Sequence, residues 1–269
     1  MKKPMLLCTG VLLLPVSLWA RQSPAAEASK KAMENCENLS SLEKKMEALE
    51  TQLKDWPGLS RYRKANAELS APAEDQKRVV FLGDSITDSW QNPQSGGFFP
   101  GRPYIDRGIS GQTTPQMLLR FRPDVLLLRP RGVVILAGTN DIAGNTGPMT
   151  LDEIEGNLAS MSQLAHANGV RVVLCSVLPV SDPIAPDGKM ILQTERRPPE
   201  KILALNEWIK KYAAANDDVY LDYFAAMADE HGLLKSELTA DGLHPNSKGY
   251  AVMAPLAENA ILLALSGKP

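Results

Sequence analysis

Two nearly continuous aliphatic runs, at residues 132–137 and 170–177, constrain the fold of this chain most. Strands without polar alternation are typical of parallel sheets, which are buried on both faces. The predicted strands cover residues 78–82, 104–109, 132–137, 170–177 and 219–221. The predicted helices cover part of 115–128, then 151–168, 199–215 and 247–265. This alternation predicts parallel βαβ units with right-handed crossovers, and hence a three-layer α/β/α sandwich around a five-stranded sheet.

A separate helical pattern precedes the first strand, so residues 29–76 are predicted to form a helical extension and linker before a catalytic domain at 77–269. Apolar residues recur there in steps of three and four, as in a short a/d stripe. The stripe consists of Leu39, Leu42, Met46, Leu49, Leu53 and Trp56. We expect it to pack on its own catalytic domain, with Trp56 and Tyr62 at the return and a monomeric chain. Pairing of two chains through the stripe is the alternative.

The first residues have the pattern of a secretory signal peptide, assigned to 1–28 with cleavage somewhere in 20–28. Lys2 and Lys3 precede an apolar run at 5–14 that is too short to span a bilayer. We therefore expect a secreted or periplasmic protein with no stable membrane insertion after cleavage. An uncleaved anchor is the alternative. The net charge of −2, without a basic block, argues against nucleic acid as a partner.

Four short polar segments are each expected to lie just past a predicted strand. They are Gly83-Asp84-Ser85-Ile86-Thr87, Gly108 to Thr114, Gly138-Thr139-Asn140-Asp141 and Asp241-Gly242-Leu243-His244-Pro245. Ligands of open parallel sheets bind outside the carboxyl ends of the strands, so segments distant in sequence meet there. The four segments would bring a serine, amide-type donors and an Asp-His pair to one place.

The base can be sought by elimination because the chain has three histidines. His166 and His231 both stand near predicted helix ends, where a cation complements the helix dipole. His244 lies in a loop three residues after Asp241, so the carboxylate can reach one ring nitrogen while the other faces Ser85. A solvated turn is the plain alternative. No second histidine or cysteine joins this cluster, so no metal is predicted, and no cofactor.

Acyl transfer also needs donors where negative charge develops on the substrate oxygen. Gly111 can present its backbone N–H closely because it lacks a Cβ, and Asn140 offers a side-chain amide. Taken alone, Gly138-Thr139-Asn140-Asp141 is equally typical of a simple turn. The combination of nucleophile, donors and oriented base favours catalysis.

From about residue 77 to 265, the sequence resembles the SGNH hydrolases of the GDSL esterase/lipase superfamily, including platelet-activating-factor acetylhydrolase-like esterases. Gly83-Asp84-Ser85 resembles the first family block, Gly111 the second, Gly138-x-Asn140-Asp141 the third, and Asp241-x-x-His244-Pro245 the last. The resemblance implies a flavodoxin-like fold with Ser85 as nucleophile, His244 as base and Asp241 as its partner. It also implies an oxyanion hole formed by the Ser85 N–H, the Gly111 N–H and the Asn140 side chain.

The expected function is a serine esterase that removes a small acyl group, most simply acetyl, from a carbohydrate or another small ester. A lysophospholipase or thioesterase, an O-acyltransferase and a non-catalytic glycan-binding protein are the alternatives. The proline-rich segment 181–198 is long enough for a functional loop. Its Arg196 and Arg197 are candidates for holding an anionic substrate group, or are a solvated charge pair.

Overall fold

The computed structural model describes residue 31 and residues 38–47, 49–50 and 53–266. The chain divides into two compact units, Met1–Lys54 and Asp55–Pro269. In the first unit, residues 38–47, 49–50 and 53–54 are helical, as the stripe predicts. The exposed apolar side chains of this helix are those of Leu39, Leu42, Met46, Leu49 and Leu53. Packing and pairing of the stripe both stay predictions, and the predicted signal peptide lies outside the described residues.

The second unit is built on the predicted five-stranded parallel sheet. Its strands are β1 Val79–Gly83, β2 Tyr104–Gly108, β3 Gly132–Leu136, β4 Arg171–Cys175 and β5 Val219–Leu221. They lie in the order β2-β1-β3-β4-β5. In register, Val79 of β1 pairs with Tyr104 of β2 and Gly132 of β3. The strand order reverses at β1, so β1 ends at the switch point where α/β sheets bind ligands.

Helices follow the strands along the chain. The longer helices are α1 Arg63–Glu68, α3 Thr114–Asp124, α5 Leu151–His166, α7 Pro199–Ala215 and α9 Ser247–Ser266. The short ones are α2 Ser85–Asp88, α4 Thr139–Ile142, α6 Gln193–Arg196 and α8 Tyr223–Met227. Single 3₁₀ turns cover Ser89–Gln91, Pro93–Ser95, Leu126–Leu128 and Ser236–Leu238. Segment 181–198, which has no clear sequence pattern, thus contains α6.

Helices cover both faces of the sheet, and alternate β1 side chains enter the two cores. Val80 and Leu82 join the core under α3, α5 and α7. Val79 and Phe81 join the other core, under α9 and a group of aromatic rings. Among the described helices, α9 is long and apolar enough to cross a membrane, but Tyr250, Met253 and other side chains of its inner face are buried in this second core. The predicted three-layer α/β/α sandwich is confirmed.

Residues 55–76 lie in the second unit and pack on the loops at the end of β2. The Tyr62 side chain is 7% exposed and its hydroxyl donates to the Gly108 carbonyl. The Trp56 carbonyl accepts a hydrogen bond of 2.7 Å from the Gln116 side chain of α3. The predicted return at Trp56 and Tyr62 is therefore present, and it holds the segment after β2 in place.

Candidate active site

Ser85 is the first residue of α2, two residues after Gly83, where β1 ends at the switch point. Asp84 is the N-cap of this helix, and its Oδ1 accepts the Ile86 N–H at 2.9 Å. The cap fixes the direction of the strand-to-helix turn. The first N–H groups of a helix have no partner within the helix, so this turn places the Ser85 hydroxyl and its backbone N–H at the same edge of the sheet.

His244 and Asp241 occupy a tight loop whose conformation depends on Asp241 itself. Asp241 Oδ1 accepts the backbone N–H groups of Leu243 at 3.0 Å and His244 at 2.8 Å. Asp241 Oδ2 lies 2.6 Å from His244 Nδ1. Gly242 between them has φ +78°, and a Cβ there would lie 2.0 Å from the Ser181 carbonyl oxygen. A glycine is therefore required for the loop to place the carboxylate beside the ring.

The other ring nitrogen of His244 faces the predicted nucleophile. Ser85 Oγ lies 2.9 Å from His244 Nε2, although 159 residues separate them in sequence. The order Ser85–His244–Asp241 is thus continuous, with the imidazole in the middle. In this arrangement a neutral imidazole accepts the serine proton while the carboxylate fixes the tautomer that leaves Nε2 free.

Gly111 lies in the loop after β2, and Asn140 lies in the short helix after β3. Gly111 is exposed with φ +80°, and a Cβ built on it would meet nothing within 4 Å, so its surroundings are open to a ligand. Asn140 lies in α4 and is 3% exposed. Its Nδ2 donates to the Gln112 carbonyl at 3.0 Å, which ties it to the Gly111 loop. A carboxamide nitrogen carries two hydrogens, so one remains for a ligand.

Arg196 and Arg197 have different surroundings. Arg196 is exposed, and its Nη2 donates to Asn145 Oδ1 at 3.1 Å. Arg197 is 3% exposed and donates to protein groups on three sides, including Thr139 Oγ1 at 3.1 Å. The other acceptors are Gln193 Oε1 at 2.8 Å and Asn140 Oδ1 at 3.4 Å. Arg197 is therefore not part of a solvated charge pair. Anion binding by either residue stays a prediction.

Two carboxyl groups near the hydroxyl have shifted pKa values. Burial alone would raise the pKa of Asp241, but hydrogen bonds from the His244 side chain and from the His244 and Leu243 backbone outweigh it. The net result is a pKa well below the usual range, so Asp241 is a carboxylate at working pH. Burial raises the pKa of Asp84 to about 6, against the hydrogen bond from Ile86 and the nearby His244. Asp241, not Asp84, is therefore the carboxylate suited to orient an imidazole.

The remaining histidines lie elsewhere. His166 ends α5, and its Nε2 is 2.6 Å from Asp218 Oδ1. His231 is exposed, near Glu230 at 3.5 Å. No group of three or more potential metal-binding side chains occurs within the described residues.

The sequence patterns assign no role to four polar residues around the candidate site: Gln112, Thr139, Asn145 and Gln193. They contact the predicted residues through hydrogen bonds that join different loops, as in Gln193 Nε2 to the Asp241 carbonyl at 3.1 Å. Gln112 and Thr139 adjoin Gly111 and Asn140 in sequence, which was the available signal for them. Gln193 and Asn145 carry no such signal.

Comparison with known families agrees with this geometry. The model of the GDSL-like lipase/acylhydrolase family matches residues 81–252, which include Ser85, Gly111, Asn140, Asp241 and His244. The chain belongs to this family. It is a carboxylic ester hydrolase of the GDSL type, as the sequence resemblance predicts.

Solved structures support the same assignment. A candidate acylhydrolase from Bacteroides fragilis is 44% identical with a TM-score of 0.71, over 78% of this chain and 99% of that one. A candidate platelet activating factor protein from Streptococcus pneumoniae is 25% identical with a TM-score of 0.64, over 80% and 97%. A catalytic variant of an acetylxylan esterase from Geobacillus stearothermophilus is 21% identical with a TM-score of 0.54, over 72% and 96%. This last likeness shows the fold alone.

Among curated proteins, the uncharacterized lipoprotein YqeF of Bacillus subtilis is 32% identical over 79 residues. The match spans 28% of this chain and about a third (32%) of that protein.

Proposed function

We propose that this protein is a serine esterase that hydrolyses short-chain esters, most simply acetyl esters of carbohydrates, through an acyl-enzyme intermediate. The observation that carries the proposal is the continuous contact from Ser85 Oγ to His244 Nε2 to Asp241, at 2.9 and 2.6 Å. Distances of this kind allow the serine proton to pass to the imidazole as Oγ attacks the ester carbonyl.

The remaining roles follow the chemistry of acyl transfer. The Ser85 N–H, the Gly111 N–H and the Asn140 carboxamide would stabilise the oxyanion of the tetrahedral intermediate. His244 then donates its proton to the leaving alcohol, which departs and leaves Ser85 acylated. In the second half, His244 takes a proton from water, the resulting hydroxide attacks the acyl carbon, and the acid leaves as Ser85 regains its proton.

The openness of the site supports a small acyl group on a bulky alcohol. The side chains of His244 and Asp241 are 37% and 40% exposed, so a carbohydrate can approach them from solvent. A long acyl chain gains affinity only where its methylenes are buried, at about 0.8 kcal/mol each. The acetylxylan esterase from Geobacillus stearothermophilus shares this fold. Acetyl specificity in the present chain is nevertheless our proposal and needs its own test.

The variant Ser85→Ala tests whether Ser85 is the nucleophile. The variant should lose turnover of p-nitrophenyl acetate while keeping its melting temperature, and a fluorophosphonate probe should label Ser85 in the wild-type protein alone. Labelling at another serine, or undiminished turnover in Ser85→Ala, would overturn the assignment.

A series of p-nitrophenyl esters tests the acyl preference. We expect kcat/KM to be highest for acetate and to fall with chain length through butyrate to octanoate. A rise with chain length would favour the lysophospholipase or thioesterase alternative, because each buried methylene would then add binding energy. Transfer to an added sugar in preference to water would favour the acyltransferase.

Anion binding is a second proposal for Arg196, which is exposed, whereas Arg197 is buried among protein acceptors. Arg196→Met should raise KM for an acetylated uronate but not for a matched neutral ester. An equal KM for both substrates would contradict a binding role.

Export is also a proposal, supported by the pattern of Lys2, Lys3 and the apolar run at 5–14. The name of the Bacillus lipoprotein agrees with export but concerns that protein. N-terminal sequencing of the protein purified from the secreted or periplasmic fraction should begin at a residue after position 20. Recovery of the intact N-terminus from the cytoplasm alone would contradict it.

A further inference from the structure

The end of segment 181–198 connects the base loop to Asn140 through consecutive hydrogen bonds. Gln193 Nε2 donates to the Asp241 carbonyl at 3.1 Å, and Gln193 Oε1 accepts from Arg197 Nη1 at 2.8 Å. Arg197 Nη2 in turn donates to Asn140 Oδ1 at 3.4 Å, and Arg197 Nε donates to Thr139 Oγ1 at 3.1 Å. One buried guanidinium therefore contacts both α4, which carries Asn140, and α6, which contacts the base loop.

We propose that Arg197 is a positioning residue for the oxyanion hole, acting through the Asn140 carboxamide, and that Gln193 holds Arg197 in place. This inference rests on the proposed function, in which Asn140 stabilises the oxyanion. It assigns Arg197 a role in kcat and not in binding an anionic group of the substrate.

The orientation of the Asn140 carboxamide explains why a cation is useful at this point. Asn140 Nδ2 already donates one hydrogen to the Gln112 carbonyl at 3.0 Å. A hydrogen bond from Arg197 to Oδ1 fixes the opposite end of the same amide, so the second Nδ2 hydrogen keeps a single direction. Preorganised donors stabilise a developing charge without reorganising during the reaction.

The charge of Arg197 adds to this effect. The guanidinium stays protonated in proteins and is planar, so it can contact Thr139, Gln193 and Asn140 together. Burial lowers its pKa, as does the neighbouring Arg196, whereas Asp84 and Asp241 act in the opposite direction. A cation that contacts Oδ1 polarises the amide and makes Nδ2 a stronger donor. Lysine retains the charge but cannot reach three acceptors in one plane.

A double-mutant cycle tests whether Arg197 acts through Asn140. With p-nitrophenyl acetate, Arg197→Met should lower kcat by about 10- to 100-fold with KM within about twofold, less than the loss from removing an oxyanion donor outright. Arg197→Lys should recover part of kcat, and Gln193→Met should lower kcat by a smaller factor. In an Asn140→Ala background, Arg197→Met should lower kcat by less than about threefold, because residues that act through one group are not additive.

Arg78→Met is the matched control. Arg78 is also a buried arginine (7% exposed), and it donates to the carbonyls of Leu128 and Ser70 at the start of β1, the opposite edge of the sheet. The substitution Arg78→Met should lower the melting temperature and leave kcat within about twofold of the wild-type value.

Three results would overturn the inference: unchanged kcat in Arg197→Met, multiplicative losses in the double mutant, or an equal loss of kcat in Arg78→Met. If Arg197→Met does not fold, the same double-mutant cycle with Asn140→Ala can be measured with Arg197→Lys or Gln193→Met in its place. Failure of the proposed function is a separate outcome, since it would appear as turnover in Ser85→Ala.

Discussion

Two Asp–His pairs in this protein have almost the same local geometry at opposite edges of the sheet. In each, an imidazole nitrogen lies 2.6 Å from a carboxylate oxygen, and in each the histidine side chain is 37% exposed. A serine is also hydrogen-bonded into each group: Ser85 in one and Ser162 in the other. The same three residue types therefore occur twice.

The order of the contacts differs. At the carboxyl edge, His244 lies between Ser85 and Asp241, so a proton can pass from hydroxyl to imidazole. At the amino edge, Asp218 lies between the other two, because Ser162 Oγ donates to its Oδ2 at 2.7 Å and His166 contacts its Oδ1. Ser162 thus contributes a hydrogen bond to a buried carboxylate, and its proton has no contact with an imidazole. Connectivity, more than residue type or distance, therefore supports Ser85 as the proposed nucleophile and Ser162 as a structural serine.

Alanine substitution of each histidine should give the largest contrast. His244→Ala should lower kcat/KM for p-nitrophenyl acetate by roughly 10⁵-fold or more, as for removal of the base in serine hydrolases. His166→Ala should leave kcat/KM within about twofold, because its contacts lie at the opposite edge of the sheet. The acid limb of the pH–rate profile should disappear with His244 and persist without His166. A large loss of kcat/KM in a normally folded His166→Ala variant would contradict the view that only the His244 pair takes part in the reaction.

Neutral isosteres of the two carboxylates should give the next largest effect. Asp241→Asn should lower kcat by roughly 10³- to 10⁴-fold, because an amide cannot hold the tautomer that leaves His244 Nε2 free. Asp218→Asn should leave kcat unchanged. Both variants should be measured at saturating p-nitrophenyl acetate. Near-normal kcat in Asp241→Asn would mean that the backbone of the loop orients His244 without the carboxylate.

The sequence predicts the fold and the group of Ser85, His244 and Asp241 much better than it predicts the contact between His166 and Asp218. Aliphatic runs at 132–137 and 170–177 predict buried parallel strands, and the structure confirms all five strands. Asp241 and His244 lie within one loop, and Ser85 comes two residues after a strand ends, so local patterns are sufficient to select them. Asp218 and His166 are 52 residues apart and meet only in the folded chain, where the last residue of α5 contacts the residue before β5. Periodicity and motif spacing carry no information about that contact. The hydrogen bond from Arg197 to Asn140 could not be predicted either, because 57 residues separate the two in sequence.

Alanine substitution of the two serines should have opposite effects: Ser162→Ala should lower stability, and Ser85→Ala should lower activity with little change in stability. Ser162 is fully buried, so Ser162→Ala leaves a buried carboxylate oxygen without its donor and should cost about 1–3 kcal/mol of unfolding free energy. Ser85 is half-buried beside an exposed imidazole, and Ser85→Ala should change stability by no more than about 0.5 kcal/mol. Chemical denaturation of both variants, with esterase assays alongside, measures the two effects. Equal stability losses would show that the serines play the same structural role.

The smallest effect, on the pH dependence of stability, should have opposite signs for the two carboxylates. The folded-state pKa of Asp241 is lowered, because hydrogen bonds from His244 and Leu243 outweigh burial. Its contribution to stability is therefore complete above the usual carboxyl pKa of about 4 and is lost as the pH falls through the folded pKa. For Asp218, burial raises the folded pKa despite the bonds from Ser162 and His166. Its contribution is present below the usual pKa and is lost as the pH rises through the folded value.

Comparison of the wild type with Asp241→Asn and Asp218→Asn isolates these two contributions. Unfolding free energies should be measured by denaturant titration at intervals from pH 3 to pH 7. The stability advantage of the wild type over Asp241→Asn should begin to shrink as the pH falls below about 4, because the Asp241 carboxyl of the unfolded chain then binds a proton that the folded carboxylate does not. The advantage over Asp218→Asn should shrink in the other direction, toward neutral pH, because ionising a buried carboxyl costs more than its two partners return. Parallel curves for the two variants would mean that both carboxylates have the same environment, although the Asp241 side chain is 40% exposed and that of Asp218 is fully buried.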